Sequence, residues 1–249
     1  MTTLTGLGRL VTLTLRRDRL RLPLWVAAVT GLVLVSAASL LSVYPDQAAV
    51  EDYVALVGDN PALVAFSGPG YGFDEPNIGV VLVNETQVFG CLGIALMSIF
   101  LVNRHTRAEE ESERAELLRA NVVGRHALPA AAVVVIGAAN VVIGLLSTAG
   151  FAALGYPKAG SFALAGSFVV TGLVFAGVTA VAAQVMSSSR ATLGLASAAL
   201  AVAFTLRAIG DIGDNALRWA SPIGWAQGAR AFAGEQWWAL GLCVFAALA

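Results

Sequence analysis

The sequence has 249 residues, of which 57% are hydrophobic and only 12% charged, with a formal net charge of −1 and a mean hydropathy of +0.77. Soluble domains carry about 25% charged residues, and a soluble fold could not hide this much apolar surface, which excludes a soluble enzyme. The charges are segregated along the chain rather than balanced locally, so the net value says nothing about partners, and nothing supports nucleic-acid binding.

In chain order, residues 1–21 read as an N-terminal interfacial helix. Leu4, Leu7, Val11 and Leu15 fall at helical spacing, while Arg9, Arg16, Arg17 and Arg19 can snorkel to lipid headgroups. An ordinary basic anchor is the other reading, and both put this segment on the cytoplasmic surface. It is no cleavable signal peptide, because the apolar span after it is too long. A hydrocarbon core about 30 Å thick needs about 20 mostly apolar residues per helix. Runs near 22–43, 79–102, 127–150, 162–183 and 191–209 meet that need. The last run, 237–249, has about 13 residues, covers roughly 20 Å and is incomplete as a span. The expected fold is therefore an all-α integral membrane protein, a six-helix transmembrane bundle over residues 22–249, whose sequence continues past Ala249.

Charge by segment gives the orientation. Five arginines lie in residues 1–21, five more in 104–125 and one in 184–190, whereas 44–77 has acids and no basic residue. The expected topology is multi-pass in a bacterial inner membrane, N-terminus cytoplasmic, with 44–77 and 210–236 outside. Within 44–77, Gly68, Gly70 and Gly72 read as a flexible external loop. The cytoplasmic connection after the second run, RHTRAEEESERAELLRANVVGR from Arg104 to Arg125, reads as a helix over 106–120. Thr106 and Glu109 have the spacing of a capping box, acids fill the first turn, and Glu110–Arg114 and Glu116–Arg119 are favourable helical pairs. Ala108, Ala115, Leu118 and Val122 line one side. Such a helix is either a solvated, salt-bridged connection or a surface that a soluble partner grips.

Inside the runs, Asn140, Gly144 and Thr148 form one stripe, Gly172, Ala176 and Ala180 a second, and Ser197, Ala201 and Thr205 a third. Small residues four apart let helices approach closely, and lining a path is the other reading, with Asn140 its best single residue. Glu85 and Arg207 are the acid and base within spans. Ionisable groups in a membrane usually face the bundle and pair, so the two are expected to meet at the outer end, where they would help close an exit. Cys91 and Cys243 give no disulfide framework, and no metal-ligand spacing occurs. No Walker A loop is present, since the lone lysine, Lys158, sits in a turn of Tyr156, Pro157, Lys158 and Ala159. No nucleophile elbow is present either. The chain is thus not expected to be an enzyme or to hold a cofactor.

The run from Arg104 to Ala120 with the following Val123, Gly124 and Arg125, the Asn60, Pro61, Ala62 triplet and the WASPIGW string from Trp219 to Trp225 resemble the ABC-2 type permeases grouped as exporters of polyketide antibiotics. The resemblance is spread over most of the chain and implies its N-terminal half. It implies that 106–120 is the coupling helix seated on a separate ATP-binding subunit, present in two copies, with Thr106, Arg107, Glu109, Glu110, Arg114, Glu116 and Leu118 at the contact. ATP and Mg would be held by that partner. It also implies that 210–236 forms short re-entrant helices at the outer end, beside membrane lipid, and that a second six-helix half or a homodimer mate completes the protein. The function implied is the permease of an ATP-driven exporter of hydrophobic small molecules such as antibiotics or drugs. Two other classes remain: a proton-coupled secondary transporter using Glu85, and a non-transporting membrane assembly subunit.

Overall fold

The structure, a computed structural model, describes residues 3–58, 60–111, 124 and 126–248, and every regular element among them is helical. In order these are α1 (Leu7–Arg17), α2 (Arg21–Val43), α3 (Gln47–Val57), α4 (Pro61–Ser67), α5 (Ile78–His105), α6 (Arg107–Glu111), α7 (Ala127–Ala153), α8 (Lys158–Val185) and α9 (Ser189–Ile212). A short 3-10 helix (Ala216–Ala220), α10 (Pro222–Gln227) and α11 (Trp237–Leu248) follow. Helices α2, α5, α7, α8 and α9 have 23, 28, 27, 28 and 24 residues. Each is long and apolar enough to cross a membrane, and α11 is a shorter apolar helix. At about 1.5 Å per residue the five reach about 35–42 Å, more than the roughly 30 Å of hydrocarbon.

The centre is α5 against α8, with α7 packed on α8. Glycines make both approaches possible. A Cβ on Gly90 would stand 2.5 Å from the Phe168 ring, one on Gly144 2.3 Å from Val169, and one on Gly172 2.6 Å from the Asn140 amide. The first two small-residue stripes therefore do face a neighbour. The third does not, because Ala201 and Thr205 are exposed and α9 buries Thr192, Ala196, Leu200, Ala203 and Arg207 instead. Asn140 is fully buried, and its Nδ2 donates to Ser98 Oγ at 3.2 Å. It pins α7 to α5.

Several boundaries differ from the sequence reading. The stretch 44–77 holds two helices rather than an open loop. Asp46 caps α3, accepting from the Ala49 N–H at 3.0 Å, and Asn60 caps α4 from the Ala62 N–H at 3.0 Å with Pro61 in the first turn. The glycines after α4 are packed: Gly68 is buried, and Gly68, Gly70 and Gly72 hold φ of 120, 66 and 86°, which favours residues without a Cβ. Helix α8 begins at Lys158, so that lysine opens a helix rather than sitting in a turn. On α1, Leu10 and Thr14 face inward, with Leu7 and Val11 partly covered against Ala127, Leu128 and Ala131 of α7. Leu4 and Leu15 stay exposed, so the apolar stripe serves two neighbours rather than lipid alone.

At the end opposite α1, Phe232 is wedged between α5 and α8. A Cβ on Gly160 would come within 2.1 Å of its ring and one on Gly79 within 2.5 Å, while Tyr156 lies at 6.0 Å between centroids. The wedge is held although Phe232 has φ 61°, a backbone region that disfavours a bulky residue, and its carbonyl accepts from Asn77 Nδ2 at 3.2 Å. Gly160→Ala should therefore evict the ring and destabilise the protein by about 1–3 kcal/mol. Thermal unfolding in detergent should show a lowered midpoint, restored in part by adding Phe232→Leu; an unchanged midpoint would show that the slot has slack.

Candidate functional site

Polar and charged groups gather at the two ends of α5. At the α1 end, the chain turns from α1 into α2 at Asp18, whose side chain is fully buried. Its carboxylate faces the His105 ring through Oδ2 and Arg104 Nε at 3.4 Å through Oδ1. Arg17, next in sequence, pairs with Glu109 at 2.8 Å. From the other side, Arg107 Nε donates to the Met186 carbonyl at 2.7 Å, and the Ser189 N–H donates to Glu111 Oε1 at 2.7 Å. Asn103 Nδ2 reaches Ser189 Oγ at 2.8 Å. The first turn of the predicted coupling helix is thus tied both to α1 and to the α8–α9 turn.

Of the coupling residues expected from sequence, Thr106, Arg107 and Glu109 lie in this knot. The Thr106 hydroxyl donates back to the Val102 carbonyl at 2.8 Å, closing α5, while the Glu109 carboxylate joins α6 to α1 through Arg17. Glu110 has a described backbone in α6. Arg114, Glu116 and Leu118, with most of the 106–120 helix, lie outside the described residues.

At the far end, the polar cluster that interrupts the second apolar run is nearly all satisfied. Gln87 Nε2 donates to the Ala226 carbonyl at 3.2 Å, and Gln227 Nε2 to the Ser67 carbonyl at 3.3 Å, so α5, α4 and α10 are stitched together. Tyr53 of α3 places its hydroxyl 2.7 Å from Glu85 Oε1 and 2.6 Å from Asn84 Oδ1. Both oxygens are acceptors, so the one phenol proton stands between them and can be donated to either. Burial first, and then the Glu85 hydrogen bond, push the Tyr53 phenol well above its usual range, which keeps it a donor. Glu85 itself is exposed.

Arg207 does not meet Glu85. It is fully buried, with Nη1 3.2 Å from Asp211 Oδ2 one turn on, Nη2 donating to the Ala65 carbonyl at 2.7 Å and the guanidinium 4.8 Å over the Phe204 ring. The expected pair fails for a local reason. An acid four residues on stands on the same helix face and is brought to Arg207 by α9 itself, whereas Glu85 is met first by Tyr53. Sequence reasoning missed Tyr53, Asp211, Asp18 and His105. The i,i+4 spacing of Arg207 and Asp211 was a usable signal, as was Asp18 standing alone among Arg16, Arg17, Arg19 and Arg21.

The two short helices of 216–227 are followed by a segment that packs down through Phe232. Trp219 stacks on Trp238 at 5.3 Å, and Trp219, Trp237 and Trp238 are exposed, the placement aromatic residues take at a membrane surface.

No family model matches the sequence. Over 237 residues, 95% of the chain, it is 43% identical to the multidrug efflux system permease protein Rv1217c of Mycobacterium tuberculosis. This chain is similar to a multidrug efflux permease. It spans 42% of that relative's length. The likeness runs over nearly all of the chain, which has five helices long and apolar enough to cross a membrane.

The buried Asp18 carboxylate is the centre of the first of these. Asp18→Ala should destabilise the protein by about 1–3 kcal/mol, the cost of leaving buried polar partners unsatisfied. In a double-mutant cycle with His105→Ala, measured by thermal unfolding, the two losses should fall well short of adding; full additivity would show that the pair is not coupled.

Proposed function

We propose that this chain is the transmembrane permease subunit, or its N-terminal half, of an ATP-driven exporter of hydrophobic small molecules in a bacterial inner membrane. The observation that carries the reading is the 43% identity to a multidrug efflux permease across 95% of the chain. The basic α1 end faces the cytoplasm, the N-terminus is inside, and α11 opens a sixth span. A second six-helix set completes the pathway.

On this reading ATP and Mg belong to a separate ATP-binding subunit, in two copies. That subunit grips the segment 106–120, and the geometry at its root supports the role. A displacement of α6 would pull on α1 through Glu109–Arg17 and on the α8–α9 turn through Arg107 and Glu111. It would also move α5, which runs without interruption from His105 to the Asn84–Gln87 cluster. There the hydrogen bonds of Gln87 and Gln227 hold the outer short helices, and changing them would open the outer end.

Charge reversal at Glu110 or Glu116, which lie on the proposed docking helix, should abolish export and release the ATP-binding subunit during co-purification while the permease still inserts. Normal export by both variants would show that coupling lies elsewhere.

A further inference from the structure

Of the acid and base placed within the spanning helices from sequence, Arg207 turns into the bundle and Glu85 does not. Glu85 lies seven residues into α5, about 10 Å below the helix end, and is exposed. A carboxylate at such depth rarely faces lipid, because its transfer into hydrocarbon is costly. Its surroundings are aromatic and apolar. Phe89, one turn on and on the same face, is 50% exposed, and Phe100, further along that face, is 44% exposed. Leu92 and Leu96 between them are partly exposed. Gly93 leaves the stripe open, with nothing within 4 Å of where its Cβ would be. The stripe lies between α2, whose Trp25 stacks on Phe100 at 6.5 Å, and α9, whose Ala196 and Leu200 cluster with Leu92 and Leu96.

The base that could have neutralised Glu85 is engaged elsewhere, since Arg207 is bound to Asp211. Only Oε1 of the carboxylate is engaged among the described residues, by Tyr53. That hydrogen bond fixes the carboxylate without cancelling its charge. A negative charge held on an apolar, aromatic face is complementary to one class of small molecule.

We propose that Glu85 is a recognition group for lipophilic organic cations, whose charge pairs with the carboxylate while their apolar bodies lie along Phe89, Leu92 and Leu96. Tyr53 is its positioning residue. The phenyl faces add attraction for a cation beyond that for a neutral body of the same shape. The inference rests on the exporter reading for its physiological meaning, because it names the cargo class, but the binding step needs neither ATP nor a partner subunit.

The test is equilibrium binding of tetraphenylphosphonium, and of uncharged triphenylphosphine oxide, to the complete permease in lipid nanodiscs without nucleotide. The wild type should bind the cation about tenfold or more tightly than the neutral compound, a difference of about 1.4 kcal/mol or more. Glu85→Gln should remove that preference, Glu85→Asp should keep part of it, and Tyr53→Phe should weaken cation binding without affecting the neutral compound. Equal affinities for the two probes in the wild type would overturn the proposal whether or not any variant folds. So would a preference unchanged in a monodisperse Glu85→Gln protein. Cation binding through Glu85 without ATP-driven export would retain the site and sink the exporter reading, so the two fail separately.

Discussion

Hydrocarbon offers no water to an unpaired polar group, so every amide, hydroxyl and charge within the bundle needs a partner made of protein. That constraint explains which residues fix the helices relative to one another. Asn140 binds Ser98 across α7 and α5. Gln87 binds a carbonyl of α10, and Arg207 is held by Asp211 and a carbonyl of α4. Apolar packing alone would let α5 slide or rotate against its neighbours, because lipid tails are as good a partner for leucine as another helix is. The polar contacts set the register, and the glycines at 90, 144 and 172 allow the helices to come close enough for those contacts to form.

Helix α5 joins the two ends of the molecule. Its last turn carries Asn103, Arg104 and His105 into the knot with Asp18 and Ser189, and its second and third turns carry Asn84, Glu85 and Gln87 to α3 and α10. Between them it is buried along most of its length. A force applied at α6 therefore reaches the opposite end through one continuous element, with the α8–α9 turn as a second attachment. Glu85, held by Tyr53, stands on the exposed face of this helix.

The sequence made the bundle legible because hydropathy responds to the solvent rather than to tertiary detail. Five of the apolar runs are long helices, displaced at their ends by a few residues where polar caps such as Asn77 and Ser188 extend them. The two helices within 44–77 are less legible, because they are short and marked by capping residues, Asp46 and Asn60, rather than by long apolar runs. Pairing was less legible than placement. Glu85 and Arg207 share a depth, but which charge finds which partner depends on helix rotation, and that is set by Tyr53 and Asp211. The third small-residue stripe failed for the same reason, since spacing identifies a face without saying what it meets.

In the proposed function, ATP hydrolysis on a separate subunit drives export through this membrane domain. Reconstitution of the complete permease with its ATP-binding subunit in proteoliposomes, followed by dye transport with and without ATP while an imposed proton gradient is either held or collapsed, tests it directly. Transport that requires ATP and survives collapse of the gradient is the predicted result. Transport without ATP that follows the proton gradient would contradict it.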